Sequence, residues 1–516
     1  MLTDSVRRSS CGSVWKWAGI SMFGLAATIV GAQAYAEPWL EVGDRPLRSD
    51  IEILAARGLI DNAITTWPLP AGEFERLSDS QLLQDQPEYV QLAARRVLER
   101  LLGEGQPRGL SPEANLSLTN HPDTIRDFGT LARDKAGGGV GLVWDSDHIS
   151  AGLRVNSQPR VDDHDSQLAF DGSYLSALVG NWQLYGGMVD QWYGPGWTSS
   201  MILSNNARPV PKIGIMRNNP HAFETPWLSW LGAWQFNTFV GVENGPRTDT
   251  NTILAGVRGT INPLHNLELG VTRLSQLCGA NHPCNPITGE FHVQNTDANP
   301  SPVSDQGEVD AKYTFLVRGL SVSPYAQIVN RDNGPFTHAN ATYLIGSSIA
   351  GPFGHDGARW RVTAEYADSI ATLNWFGFNK LNYGAADNDY KYTDGKRYRG
   401  RTLGFSLDSD SRLFSLAGLL TDTRGWTYRL VYYRANINSE QLAGVLPTNY
   451  PDQLYNPLTS TNSVSAKPVQ FDQVEAGLAV PWRLLTFDFS VRAQDAQVYP
   501  EPGGKIAGEL GISYRF

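Results

Sequence analysis

Long apolar runs, an excess of positive charge and the common catalytic signatures are missing from most of this 516-residue chain. Beyond residue 36 no stretch approaches the ~18 consecutive apolar residues of a spanning helix. Mean hydropathy is −0.30, and a helical membrane protein is excluded. Charged residues are scarce at 18%, against the ~25% usual for soluble proteins. The formal net charge is −10, and removal of residues 1–36 takes away a net +2 (Arg7, Arg8 and Lys16 against Asp4) to leave −12. Phosphate recognition needs a basic footprint, so a nucleic-acid partner is excluded. A content of 41% hydrophobic and 10% aromatic residues excludes disorder. There is no HExxH and no P-loop. Gly346-Ser347-Ser348-Ile349-Ala350 comes nearest to a nucleophile elbow, but Ala stands where the second Gly belongs and the context is strand-like.

Residues 1–36 read as a secretory signal: Arg7, Arg8 and Lys16 form a positive start, Trp17 to Gly31 an apolar stretch, and Ala34-Tyr35-Ala36 a small-x-small cleavage site. Cys278 and Cys284 enclose a Gly/Asn/Pro-rich loop, and in an exported protein that pair favours a disulfide closing a loop tip. With only His282 as a further donor nearby, the pair is not a complete metal site. The acidic run Asp162-Asp163-His164-Asp165 lacks the Gly and distal Glu of an EF-hand and reads as a solvated turn. No metal and no cofactor is expected.

From 37 to about 110 the apolar period is helical. Leu47, Ile51, Leu54 and Ala55 share a face, with Gly58 as a stop. Pro87 opens a second helix in which Val90, Ala93, Ala94, Val97, Leu98 and Leu101 repeat, ending at Gly103. Phe74 to Leu83 could form another short helix between them. A helical subdomain of this size is marginal alone and should dock on something larger.

From about 111 to 516 the period drops to two. Leu485, Phe487, Phe489 and Val491 alternate with Thr486, Asp488, Ser490 and Arg492; Trp360, Val362, Ala364 and Tyr366 alternate with Arg361, Thr363 and Glu365. Full charges in mid-strand on the polar face suit a wet lumen, and Trp and Tyr at the ends of the apolar face suit the aromatic girdles of an outer-membrane barrel. The last strand alternates too, through Leu510, Ile512 and Tyr514 to a terminal Phe516, which looks like the mark read by the barrel-assembly machinery. At roughly 22 residues per strand with its turn or loop, the region yields about 18 antiparallel strands, with 16 as the neighbouring even number. The fold class is therefore an all-β transmembrane barrel with a small N-terminal α-helical subdomain.

Between about Gln191 and Gly232 the alternation stops in a Pro-, Gly- and Asn-rich block holding Trp192, Trp197, Trp227 and Trp230. Such a block cannot supply lipid-facing strands and is expected to fold partly into the lumen, where irregular backbone is tolerated. Here the sequence resembles the Wzi-type capsule-assembly family of the Gram-negative outer membrane. The resemblance is carried by LEVGDRPLRSDIEILAARGLI (40–60), FDGSYLSALVGNW (170–182), the block from QWYGPGW to WLSWLG (191–232), and NPLHNLELGVTR (262–273). It implies an 18-stranded barrel with its helical bundle at the periplasmic mouth, and a lectin-like role in holding capsular or other surface polysaccharide. The partners implied are that polymer and the outer-membrane lipid and lipopolysaccharide around the barrel.

Sugar rings call for aromatic faces, hydroxyls for amides and uronate carboxylates for guanidinium forks. The irregular block offers Trp192, Tyr193 and Trp197, the pairs Asn205-Asn206 and Asn218-Asn219, and Arg208 and Arg217, with Lys212 nearby. Equally, the tryptophans serve as packing or girdle residues and the Asn pairs as turn formers. Lys391–Arg401 (KYTDGKRYRGR) is a second cationic stretch, read as a solvated external loop or an anion site. Two other functions stay open: a diffusion channel, motivated by inward charges such as Arg361, Glu365, Asp488 and Arg492, and an outer-membrane hydrolase built on Ser348.

Overall fold

The computed structural model describes residues 38–102, 109–129, 132–146, 148–157, 168–280, 303–331, 340–354, 356–372, 381–389, 392–439, 462–465, 467–498 and 505–515. The signal segment, Cys284, the 162–165 acidic run, Lys391 and Phe516 lie outside them. Eighteen strands of six or more residues among the described residues form a closed antiparallel barrel. They are β1 (Leu110–Thr119), β2 (Ala136–Asp145), β3 (Ile149–Ser157), β4 (Tyr174–Val179), β5 (Trp182–Gly187) and β6 (Lys212–Arg217). Next come β7 (Trp234–Glu243), β8 (Thr252–Leu264), β9 (Leu267–Leu277), β10 (Val303–Tyr313), β11 (Leu320–Arg331) and β12 (Ala341–Phe353). The last are β13 (Ala358–Thr372), β14 (Arg412–Thr421), β15 (Thr427–Ile437), β16 (Val469–Trp482), β17 (Leu485–Gln494) and β18 (Ile506–Arg515).

Each strand pairs with the next, and β18 returns to β1 with Glu509 opposite Thr119, so no sheet edge is left open. In lipid every unsatisfied backbone group at such an edge would cost several kcal/mol. Alternation then sorts the side chains. On β13 Arg359, Arg361, Thr363 and Glu365 are buried inside, while Val362 and Tyr366 are exposed outside; on β17 Ser490 and Arg492 are inside, Phe489 and Val491 outside. Val140, Leu153, Leu175, Ile213, Ile345 and Leu430 belong to the resulting outer apolar face. Connections at one end are mostly short turns (146–148, 180–181, 265–266, 354–357, 483–484), the mark of the periplasmic side.

The N-terminal residues build the helical piece at that short-turn end. In α1 (Arg45–Ala56) the Asp44 side chain accepts from the Leu47 amide at 2.9 Å, Pro46 fits the first turn, and Gly58 takes the left-handed φ of +68° just beyond. A 3₁₀ turn (Ala71–Ser78) and α2 (Ser80–Gln84) lead to α3 (Glu88–Leu102). Leu47, Ile51 and Leu54 pack with Val90, Ala93 and Val97 of α3 in one apolar cluster, joined by Trp67, Phe128 and Trp192. The opposite face of α1 meets no water either: Arg48, Ser49, Asp50 and Glu52 are all buried against the barrel wall.

Segments 120–135, 188–211 and 381–411 turn back from the loop end into the barrel, their described residues largely buried. A column of backbone pairing runs through the interior. Thr66–Trp67 pairs with Trp192–Tyr193, Tyr193 bridges to Leu203, and the Ser204 amide donates to the Leu403 carbonyl at 2.7 Å.

Three expectations are corrected. The inner charges do not line a wet lumen, because the chain fills the space they face. The block after Gln191 is not uniformly irregular: Lys212–Arg217 is β6, with Ile213 and Ile215 turned outward. Six residues give a period-two signal too short to stand out. Only 188–211 lies inside, while 218–233 connects β6 to β7 at the short-turn end. Finally, KYTDGKRYRGR is not a solvated loop, since Tyr392, Lys396 and Tyr398 are buried on top of the plug.

Candidate functional site

A buried charge without a partner is costly, so the inward charges dictate what must face them. Arg361 donates to Glu52 at 2.8 Å, to the Ser49 hydroxyl at 3.0 Å and to the Ser348 hydroxyl at 2.8 Å. Lys312 reaches Glu52 at 3.0 Å, and Arg359 pairs with Asp50. Burial alone would raise the Glu52 carboxyl, but Lys312, Arg361 and Arg48 together hold it at about 2. Glu365 accepts from the amides of Trp197 and Ser199, both at 2.7 Å, and from the Tyr325 hydroxyl at 2.9 Å. Arg258 donates to Thr65 and Thr66 on one side and to Glu308 and Asp310 on the other. Arg492 stands 3.8 Å from both Asp123 and Glu509. These charges fasten the plug to the wall. Ser348, proposed as a nucleophile, has its hydroxyl engaged by Arg361 beneath α1.

The sequence-predicted sugar-binding residues occupy three separate levels of the molecule. Trp192, Tyr193 and Trp197 lie deep in the plug. Trp192 donates to the Gly196 carbonyl at 3.0 Å and packs edge-on against Phe128; the Tyr193 hydroxyl accepts from Gln191 at 2.9 Å. The guanidinium groups of Arg48 and Arg361 both lie over the Trp197 ring, at 4.5 and 4.9 Å from its centre. Arg217, Asn218 and Asn219 are at the short-turn end. Arg217 lies 3.6 Å over the Trp234 ring and donates to the Trp234 and His221 carbonyls. Asn218 accepts from the Gly72 amide at 3.3 Å, and Asn219 donates to Glu75 at 3.1 Å. Asn205 and Asn206 are buried in the plug, Asn205 donating to the Phe128 and Gly129 carbonyls at 3.3 Å, and Arg208 stands nearest the loop end beside Asp171. Cys278 is disulfide-bonded.

Around those last three the arginines gather. Arg133 donates to the Asn205 and Asn206 carbonyls, both at 3.0 Å, and Arg401 to the Asn206 side chain at 3.4 Å. Asn206 in turn donates to Thr402 at 2.9 Å, and Arg208 grips Asp171 through two bonds of 2.9 and 3.0 Å. Burial, with the nearby charges of Arg133 and Arg401, pushes the Arg126 guanidinium well down from its usual range. Glu509 and Asp123 oppose that push, and Arg133 also lies 3.9 Å from Asp190. Arg133, Arg399 and Arg401 keep part of their surface exposed. Reading the sequence overlooked Arg126 and Arg133, whose segment (HPDTIRDFGTLARDK) joins two strands and carries no aromatic marker. It also overlooked the polar face of α1. The inward Arg359 and Arg361 were the available signal for that face, since each demands an acid opposite.

Fold and site define a closed, self-plugged β-barrel of the outer membrane with part-exposed arginines toward its loop end. Residues 106–426 match the family described as capsule assembly protein Wzi, and the chain belongs to that family. An uncharacterized 55.8 kDa protein in the cps region of Klebsiella pneumoniae is 28% identical over 437 residues, 81% of each chain. Among solved structures, the Wzi protein of Escherichia coli superposes with a TM-score of 0.76 at 21% identity, covering 93% of this chain and 99% of that one. That protein is described as a carbohydrate-binding outer-membrane barrel involved in group 1 capsule assembly. OprD of Pseudomonas aeruginosa follows at a TM-score of 0.44 and 11% identity, too loose to bear on function.

Proposed function

We propose that the chain is a non-enzymatic, lectin-like barrel that binds a capsular or other surface polysaccharide at its loop end and holds it at the cell. Family membership and the likeness to a carbohydrate-binding barrel support this reading. The observation that carries it is the combination of a filled interior with three part-exposed arginines, Arg133, Arg399 and Arg401, toward the loop end. A plug fastened from both walls leaves the outer face for work, and toward that face Arg133, Arg399 and Arg401 keep part of their surface exposed, backed by the buried Asn206 and Tyr398. Guanidinium forks suit uronate carboxylates, and amide and phenol groups suit hydroxyls. The polymer favoured by this chemistry is acidic. On this reading residues 1–36 are a cleaved signal and the barrel reaches the outer membrane through the barrel-assembly machinery.

Deleting the gene in an encapsulated host should shed polymer into the medium, and a plasmid copy should restore retention. Unchanged cell-associated polymer in the deletion strain overturns the reading. In planar bilayers the purified barrel should be nearly silent; steady large currents would instead establish a channel.

A further inference from the structure

The lipid-facing wall is uneven at one place. β4, β5 and β6 are only six residues long each, and beside them two open apolar grooves of about 570 Å³ each indent the outside of the barrel. One is bordered by Leu175, Leu184, Ile213, Ile215 and Val240, the other by Leu142, Trp144 and Leu153; Gly186 belongs to both. On β7 the groove between β4 and β7 borders Thr238–Val240, about the middle of Trp234–Glu243. It begins two residues above Trp182 on β5 and two residues above Arg217 on β6, roughly 7 Å along each strand.

Directly below it the connection 218–233 breaks the short-turn rule of its end and carries Trp227 and Trp230, which are 73% and 62% exposed. Their base is rigid. Phe223 stacks on Trp234 at 4.7 Å, Arg217 covers the Trp234 ring, and Trp182 abuts both Trp234 and Phe236 at just over 6 Å. The Arg217 guanidinium, 9% exposed beneath its aromatic neighbours, is held by two neutral carbonyls and has no carboxylate within ion-pair distance among the described residues. Trp prefers the membrane interface because its ring is apolar and its N–H polar. The strip therefore reads, from the rim upward, as paired tryptophans, a cation at headgroup depth, and an apolar furrow at acyl depth.

We propose that this strip is a binding site for one phospholipid of the periplasmic leaflet, its acyl chain along the Gly186 furrow and its phosphate at Arg217 between Trp182 and the Trp227/Trp230 connection. The proposal rests on the outer-membrane reading of the barrel and is independent of the polysaccharide reading. A substituent on Gly186 would meet Ile213 at 3.4 Å, an ordinary contact, so Gly186→Phe fills the furrow without moving backbone. Ile213→Trp, at a position 70% exposed, fills it from the neighbouring strand.

The experiment is native mass spectrometry of the full chain released from mild detergent. One adduct of phospholipid mass should survive on the wild type, fall at least fivefold in both filling variants, and lose its preference for phosphatidylglycerol in Arg217→Met. Circular dichroism and heat-modifiable migration report that each variant is folded. Absence of any adduct, equal adducts in both folded filling variants, or adducts of lipid A mass alone overturn the proposal. Retention of polysaccharide by cells carrying Gly186→Phe should match wild type, which separates this test from that of the proposed function.

Discussion

Replacing Glu52 by Gln removes one negative charge from a buried point where Arg361 at 2.8 Å, Lys312 at 3.0 Å and Arg48 at 3.4 Å converge. The amide can still accept hydrogen bonds, so the loss is electrostatic. Breaking a buried ion pair from one side costs about 3–5 kcal/mol, because the remaining charges stay buried and uncompensated. Linkage provides a second measure. The Glu52 carboxyl is held at about 2 against an ordinary 4.5, which corresponds to about 3 kcal/mol of stability present above pH 4.5 and lost as pH falls towards 2. Both routes point to the same size. Amide exchange of peptides covering α1 should then accelerate roughly a hundredfold in Glu52→Gln at pH 7, since each 1.4 kcal/mol is a factor of ten. Strands on the far side of the barrel should be unchanged. Adding Lys312→Met rebalances the charge and should recover much of the protection. Equal exchange in wild type and Glu52→Gln would refute the idea that this ion cluster seats the helix.

Other consequences can be checked separately. Asp387 and Asp410, in the plug segment 381–411, are pushed up to about 7 by burial and by neighbouring carboxylates, with Arg397 opposing and Asp408 held low beside it. A raised carboxyl favours the folded segment at low pH, and that contribution is lost as pH climbs from 3.8 through about 7, so protection factors in this segment, corrected for intrinsic exchange, should fall between pH 4 and 7 and then level off. Arg133→Ala combined with Arg401→Ala should weaken binding of an acidic polysaccharide at least tenfold and flatten its salt dependence, while a neutral polymer binds both proteins alike; surface plasmon resonance reads this. Leu430→Arg puts a cation on the lipid face of β15, at a position 61% exposed, and should cost about 2–4 kcal/mol if it lies near the midplane, seen as poor folding into vesicles.

Much of the barrel was legible because lipid enforces a rule that composition cannot blur. Each long strand must turn an apolar face outward, and runs such as Leu485–Arg492 show the period plainly. Short strands obey the same rule without displaying it, as Lys212–Arg217 demonstrates inside a block that otherwise reads as irregular. The apolar face of α1 was readable from Leu47, Ile51 and Leu54, but its polar face was not. Periodicity alone assigns Asp50 and Glu52 to water, and only the matching charges on β10 and β13, more than 250 residues away, reveal their burial. The sugar-site residues failed to group for a related reason. Composition marked the 191–232 block as unusual, yet a chain that runs from lumen to wall to periplasmic rim distributes its Trp, Asn and Arg over three levels.

A barrel whose interior is full of ions poses the question of what keeps the plug in place. Paired burial of charge is close to neutral against hydration, so the ion pairs contribute little net force towards insertion. If α1 withdrew, water would enter and solvate Arg359, Arg361 and Lys312 at modest cost. The drive must come from the apolar cluster, where Ile51, Leu54, Trp67, Phe128 and Trp192 lose contact with water together, at roughly 1.5–3 kcal/mol for each fully buried side chain. What the ions supply is register: an Asp and a Glu two residues apart on α1 fit Arg359 and Arg361 two residues apart on β13, and a shift by one turn leaves both sets unpaired. Apolar burial holds the plug in and charge fixes where it stops. Such a plug is poorly suited to gating, because any partial displacement loses the pairing before hydration can replace it.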